Sequence, residues 1–183
     1  MKNAMRWLIL VALVALAFVA GAAGAAGAAG AKEPAKLKLG VYDSRAVAIA
    51  WARTPSVGES LRQFSLEHTR ATEAQDAQKA QEAEQEVQWM QVRMHQRAFS
   101  TAGAGDLLAG MHSALSAIAK EAGVCAIVSK WELPFNDASV ELVDVTAAVA
   151  GLFHPDDETL KIIADLKGQA PVPFNELPLD PNE

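Results

Sequence analysis

The chain has 183 residues, 22 of them acidic against 16 basic, and a formal net charge of −6. That balance excludes a protein working by charge attraction to nucleic acid or to an anionic membrane surface, since both call for a basic patch. A single cysteine, Cys125, excludes an intrachain disulfide.

The first stretch reads as a secretory signal. Lys2 and Arg6 give the positive end, Trp7 to Ala20 is an unbroken apolar run short for a membrane span, and a Gly/Ala tract from Gly21 to Ala31 offers small-x-small cleavage sites. Residues 1–31 are therefore expected to be removed, with cleavage between Ala22 and Lys32 and the site after Ala31 favoured. A retained N-terminal anchor is the alternative. Export leaves 14 basic against 22 acidic residues, a net charge of −8, which favours solubility. In an oxidising compartment a lone Cys125 inside the apolar run Val124–Val128 reads as a buried, inert thiol.

After the polar lead-in from Lys32, Leu37–Asp43 (LKLGVYD) alternates and reads as a strand. Ser44 is placed to cap a short apolar helix from Arg45 to Ala52, and Pro55 disfavours helix at Thr54 and so marks a break. Residues 32–55 form the first part of a small base. From Ser56 to Ala98 there is no proline, the only glycine is Gly58, and Ala, Gln and Glu dominate, all good helix formers. Ser56 and Glu59 have capping-box spacing. Ala71, Ala74, Ala77, Ala80, Ala83, Val87, Met90 and Met94 recur at three- and four-residue steps, which puts them in one stripe. The stripe is narrow, so it suits a helix packed closely on one partner helix with most of its surface in water. Such a stretch is either a working surface or a solvated spacer.

Ser100–Asp106 carries two glycines and reads as a break. Asp106 then caps a second helix, Leu107 to Ala122, whose apolar face is Leu107, Leu108, Met111, Leu115, Ile118 and Ala122, with Gly123 as its stop. Residues 56–122 are thus the arm, and residues 123–153 return to the base. Within them Val124–Lys130 reads as a strand buried on both faces, and Trp131–Phe135 as an edge-like strand, because Pro134 cannot donate to a ladder. Asn136-Asp137 is a turn, Val140–Val143 extends the sheet, and Asp144 or Thr146 caps a short apolar helix through Phe153. Residues 154–183 hold a further helix and a tail. The acidic first turn of that helix, Asp156, Asp157 and Glu158, suits its dipole, and Gly168 stops it after Lys167. The tail from Pro171 to Glu183 contains four prolines and is expected to be extended, either free or laid along the body through Val172, Phe174 and Leu177.

Geometry constrains how these pieces connect. The strands at Val41 and Ile127 are the best core strands and should pair. An unbroken helix from Ser56 to Ala98 would travel roughly 65 Å, and the helix after Asp106 returns only about 25 Å. The chain would not reach its partner strand, so the long stretch must fold back on itself, between about Arg70 and Glu86. The fold class expected is α+β, mostly α: a small β base with a projecting antiparallel helical hairpin arm.

No residue pattern carries catalytic chemistry. His68, His95, His112 and His154 lie far apart, with no second ligand at metal-site spacing. No serine sits in a nucleophile elbow, and Gly103 and Gly105 form no phosphate loop. Trp51, Trp89 and Trp131 read as packing anchors. No catalytic, cofactor or metal residue, no cofactor and no small-molecule substrate is expected. The adaptable apolar spots of the arm, and the candidate client-contact residues, are Val87, Trp89, Met90 and Met94.

Four phrases in order resemble the periplasmic chaperone family called Skp or OmpH. They are a signal peptide; the strand and short helix at Gly40-Val41-Tyr42-Asp43 and Ser44–Ala50, followed by a Gln/Glu-rich arm; a helix and strand over Ile118–Lys130; and Ala138–Val149. The resemblance covers about residues 37–153 and leaves out the segment after Phe153; this chain is also acidic where well-known members are basic. It implies a homotrimer whose bases share a small β-barrel and whose arms enclose unfolded outer-membrane proteins in the periplasm. A non-enzymatic coiled-coil adaptor of the cell envelope is the competing expectation.

Overall fold

The computed structural model describes residues 36–177. The expected signal peptide and the end of the tail lie outside that range. Strand β1 runs Leu37–Tyr42 and leads directly into helix α1, Ser44–Ala52. The cap of α1 is Asp43 and not Ser44: its carboxylate accepts from the Arg45 amide at 3.0 Å, while the Ser44 hydroxyl is buried with no partner among the described residues. A carboxylate makes the stronger, charge-assisted cap.

Helix α2 is Pro55–Glu73, α3 is Ala77–Phe99 and α4 is His112–Ala122. Pro55 occupies the first turn of α2, where its missing N–H is no loss, so the helix begins one residue before Ser56, with Thr54 at the cap position. The Ser56 hydroxyl instead lies 3.0 Å from that of Thr54, and Glu59 pairs with Arg62. The chain reverses over Ala74–Asp76, inside the expected window. The helix after the glycine-containing break is shorter than expected, because Gly110 takes a left-handed φ of 81° and separates α4 from the turns at Leu107–Ala109. Asp106 caps nothing and pairs with Arg97 at 2.6 Å. Gly123, at φ 65°, ends α4 as expected.

Strand β2 is only Ile127–Ser129, and β3 is Val140–Asp144. Both pair in parallel with β1, giving the order β2-β1-β3, with Val41 opposite Val128 and Leu39 opposite Leu142. Trp131–Phe135 is not a strand: Trp131 turns back onto Asp43 and the chain leaves the sheet. Helix α5, Thr146–Gly151, begins where the Asp144 carboxylate accepts from the Thr146 amide at 2.9 Å. Helix α6, Asp157–Asp165, is capped by Asp156 and continues as a 3-10 turn through Gly168.

The core lies between one face of the sheet and α1. Val47 and Val149 are fully buried, with Ala46, Ala50, Ala150, Phe153, Ile163, Leu108 and Tyr42 around them. Helix α1 packs against α3, α5 and α6, so the root of the arm and the C-terminal helix share one apolar surface. The tail lies along this body: the Val172 amide donates to the Phe99 carbonyl at 2.8 Å and Leu177 is buried, while Phe174 stays half exposed.

Candidate functional site

The hairpin is built from two matching stripes. On α2, Val57 and Ala71 are buried and Leu61 and Phe64 half-buried. On α3, Ala80, Ala83, Val87, Met90 and Met94 are all half-buried. The α3 stripe steps by three and four residues and the α2 stripe by four, three and seven, so α2 and α3 meet along a seam of coiled-coil type. Alanine keeps the helices close toward the tip and larger side chains fill the space toward the root.

The reversal needs neither glycine nor proline. Gln75 takes the left-handed conformation, φ 58°. The Asp76 amide donates to the Ala71 carbonyl at 2.9 Å and the Gln75 amide to the Thr72 carbonyl at 3.0 Å. These are the two bonds of a Schellman stop. Asp76 then starts the next helix, its carboxylate accepting from the Lys79 amide at 3.1 Å with the Lys79 ammonium 3.2 Å away. Those bonds, first from the amide and then from the side chain, hold the Asp76 carboxyl below the usual carboxylate range.

The four candidate contact residues do not share a surface. Val87 lies at the seam beside Phe64 and His68 of α2, and Met90 and Met94 follow on the same face. Trp89 lies on the opposite face and is 60% exposed. Only Trp89 among the four presents a large apolar surface to solvent.

At the root of the arm sits an ion cluster whose pattern was not apparent in the sequence. Asp43 and Arg45 are almost fully buried, and Arg45 Nη2 donates to Asp43 Oδ2 at 2.8 Å. Lys130 Nζ reaches the same oxygen at 2.8 Å and Trp131 Nε1 donates to Oδ1 at 3.1 Å. Arg45 Nη1 donates to the Gln169 carbonyl at 3.0 Å and Nη2 also to the Leu166 carbonyl at 3.3 Å. Burial raises the Asp43 pKa, but the bonds from Arg45, Lys130 and Trp131 outweigh it and hold the carboxyl well below the usual range. Lys130 Nζ stands 4.4 Å from the Trp131 ring centroid, and Arg45 packs near the same ring. The carboxylate is saturated with donors, so the cluster is a clasp joining β1, α1, the end of β2 and the C-terminal segment, with no acceptor left for a reacting group.

Among the described residues the second face of the sheet is left partly open. Registered residues in a parallel ladder point the same way, which places Leu37, Leu39, Val41, Val128, Val140 and Leu142 together, and none of the six is buried. Leu37 is 58% exposed. Cys125, expected to be buried, is exposed where the chain approaches β2, a short strand at the sheet edge.

Among the described residues no three His, Cys, Asp or Glu side chains gather as a metal site, and no helix is long and apolar enough to cross a membrane. Comparison with protein-family models, with curated proteins and with solved structures returns no match.

Proposed function

We propose that the protein is an exported, periplasmic holdase-type chaperone of the Skp/OmpH kind. It holds unfolded outer-membrane or other envelope proteins, acts as a homotrimer, and uses no cofactor, small-molecule substrate, nucleic acid or catalytic chemistry. The observation that carries the reading is the α2–α3 hairpin rooted on a three-stranded parallel sheet whose apolar second face is left partly open among the described residues. Parallel sheets are ordinarily covered on both faces, and a three-stranded sheet with two free edges is marginal alone. Copies of the base that cover one another's open faces remove both costs, and their arms then surround a shared space.

The test is suppression of aggregation. An unfolded outer-membrane protein is diluted from urea with and without the purified protein, and light scattering is followed. The protein is expected to slow the rise, and Trp89→Gln to weaken the effect without touching the seam. No slowing at a several-fold excess refutes the chaperone reading.

A second reading, a coiled-coil adaptor, is favoured by one observation: Val87, Met90 and Met94 are turned into the hairpin and not outward. It predicts a stable oligomer with no effect on aggregation, and substitution of those three by Gln that loosens the hairpin or changes the oligomeric state.

A further inference from the structure

A two-helix hairpin cannot enclose its own seam, and this one leaves a groove along each side. The larger is about 570 Å3 and the other about 420 Å3. Phe64 and Ala83 reach into both, so the apolar floor is shared and the walls make the difference. The larger groove is walled by Glu67 on α2 and by Glu82 and Glu86 on α3. The cations lining it are Arg70 and Lys79; Lys79 is already engaged by Asp76 at 3.2 Å, and Arg93, outside the lining, stands 3.9 Å from Glu86. The smaller groove is walled mainly by Ser65, Thr69, Gln88 and Gln91, with Glu84 as its one carboxylate. Over residues 64–87 the chain carries six acidic and two basic side chains.

We propose that the larger groove is a docking site for a cationic amphipathic helix of a partner protein. Such a helix would lay an apolar stripe over Phe64, Ala71 and Ala83 and complete a three-helix bundle. Lysine or arginine on either side of its stripe would meet Glu67 on one wall and Glu82 and Glu86 on the other. The small residues of the floor let a third backbone approach closely. The groove extends from Phe64 to Ala74, about 15 Å of helix, so the bound segment is about ten residues long. A second copy of this hairpin brings the same negative charge and is repelled, as is an anionic lipid surface. The inference stands apart from the holdase reading, because its ligand is a folded, charged helix and not an unfolded chain.

The test uses two fluorescently labelled amphipathic peptides with the same leucine stripe, one with lysine and one with glutamate on its polar face. Binding to the purified full chain is read by anisotropy at low and high salt. The lysine peptide is expected to bind, with affinity falling about tenfold or more as salt screens the walls, and the glutamate peptide to bind at least about tenfold more weakly. The Glu67→Gln, Glu82→Gln, Glu86→Gln triple variant is expected to lose about tenfold for the lysine peptide with unchanged helicity. Glu73→Gln with Glu84→Gln, two carboxylates outside this groove, is expected to leave binding unchanged. No binding of the lysine peptide, equal binding of both peptides, or equal effects of the two sets of variants overturns the proposal. A changed oligomeric state of the triple variant also overturns it, because a second copy would then be the occupant.

Discussion

Replacing Asp43 with alanine is expected to remove a large part of the stability of the base. The carboxylate accepts five hydrogen bonds: from the Arg45 amide at 3.0 Å, Nε at 3.1 Å and Nη2 at 2.8 Å, from Lys130 at 2.8 Å and from Trp131 at 3.1 Å. Without it the Arg45 side chain, 3% exposed, keeps only the two carbonyl partners and becomes a buried cation with no counter-charge. Removing one member of a buried pair costs about 3–5 kcal/mol, against a total stability of about 5–15 kcal/mol for a domain. Lys130, 37% exposed, sits in a better-screened position, so Lys130→Ala should cost no more than about 1 kcal/mol. Urea unfolding followed by far-UV circular dichroism measures both. A loss below about 1 kcal/mol for Asp43→Ala would refute the clasp. The same cluster sets an acid response. Because the folded carboxyl titrates well below its unfolded value, its contribution is fully present above about pH 4 and is lost as pH falls below that. The stability gap between the parent and Asp43→Asn should therefore narrow in acid, and a gap independent of pH would contradict the assignment.

Three further outcomes follow from local geometry and from the expected signal sequence. A side chain at Gly40 would bring its Cβ 3.1 Å from Val124 Cγ2 and 3.2 Å from both the Ala126 carbonyl and Ile127 Cγ1, so Gly40→Val should destabilise by about 1–3 kcal/mol; an unchanged urea midpoint would show that β2 yields freely. Gln75→Gly should raise the melting temperature by relieving a left-handed residue, a gain of up to about 1 kcal/mol, while Gln75→Val should lower it; the opposite order would mean the turn is not as described. Intact mass of protein from the cell envelope should match a chain beginning between Ala22 and Lys32, and recovery of the full-length chain in the membrane fraction would rule out cleavage.

What the sequence made legible was whatever depended on periodicity or chain reach. The Ala-rich stripe pointed to helix packed on one close partner, but not to a single stripe: the reversal divides it between α2 and α3 and leaves Ala74 and Ala77 exposed. The distance the chain must return located that reversal, which Ala74–Asp76 makes. Gly123 stopped α4 because few residues other than glycine take a left-handed φ at little cost. The misplaced boundaries are those where two side chains compete for one backbone group. Asp43 won over Ser44 as a cap because its charge also pairs with Arg45 and Lys130, a partnership made across the fold. Asp106 looked like a cap but was drawn to Arg97, and Gly110 then set the start of α4. Trp131 fitted a strand by composition, yet its indole N–H is held by Asp43, which turns the chain away from the sheet. The clasp is not legible in the sequence because its members are separated by up to about 120 residues and carry no common spacing. Spacing alone places Val87, Met90 and Met94 in one stripe, and helical phase sets Trp89 on the other side, so apolarity does not make the four a single contact surface.

The compact reversal at Gln75 also works as a ruler. With almost no slack between the two helices, residues cannot be added to one alone without sliding every seam side chain out of register. Length can change only in paired increments. Seven residues inserted in α2 and seven in α3 restore the three- and four-residue steps on both sides and carry the tip about 10 Å further from its root. The reach of the arm is thus quantised, and the span it can bridge is adjustable without rebuilding the base.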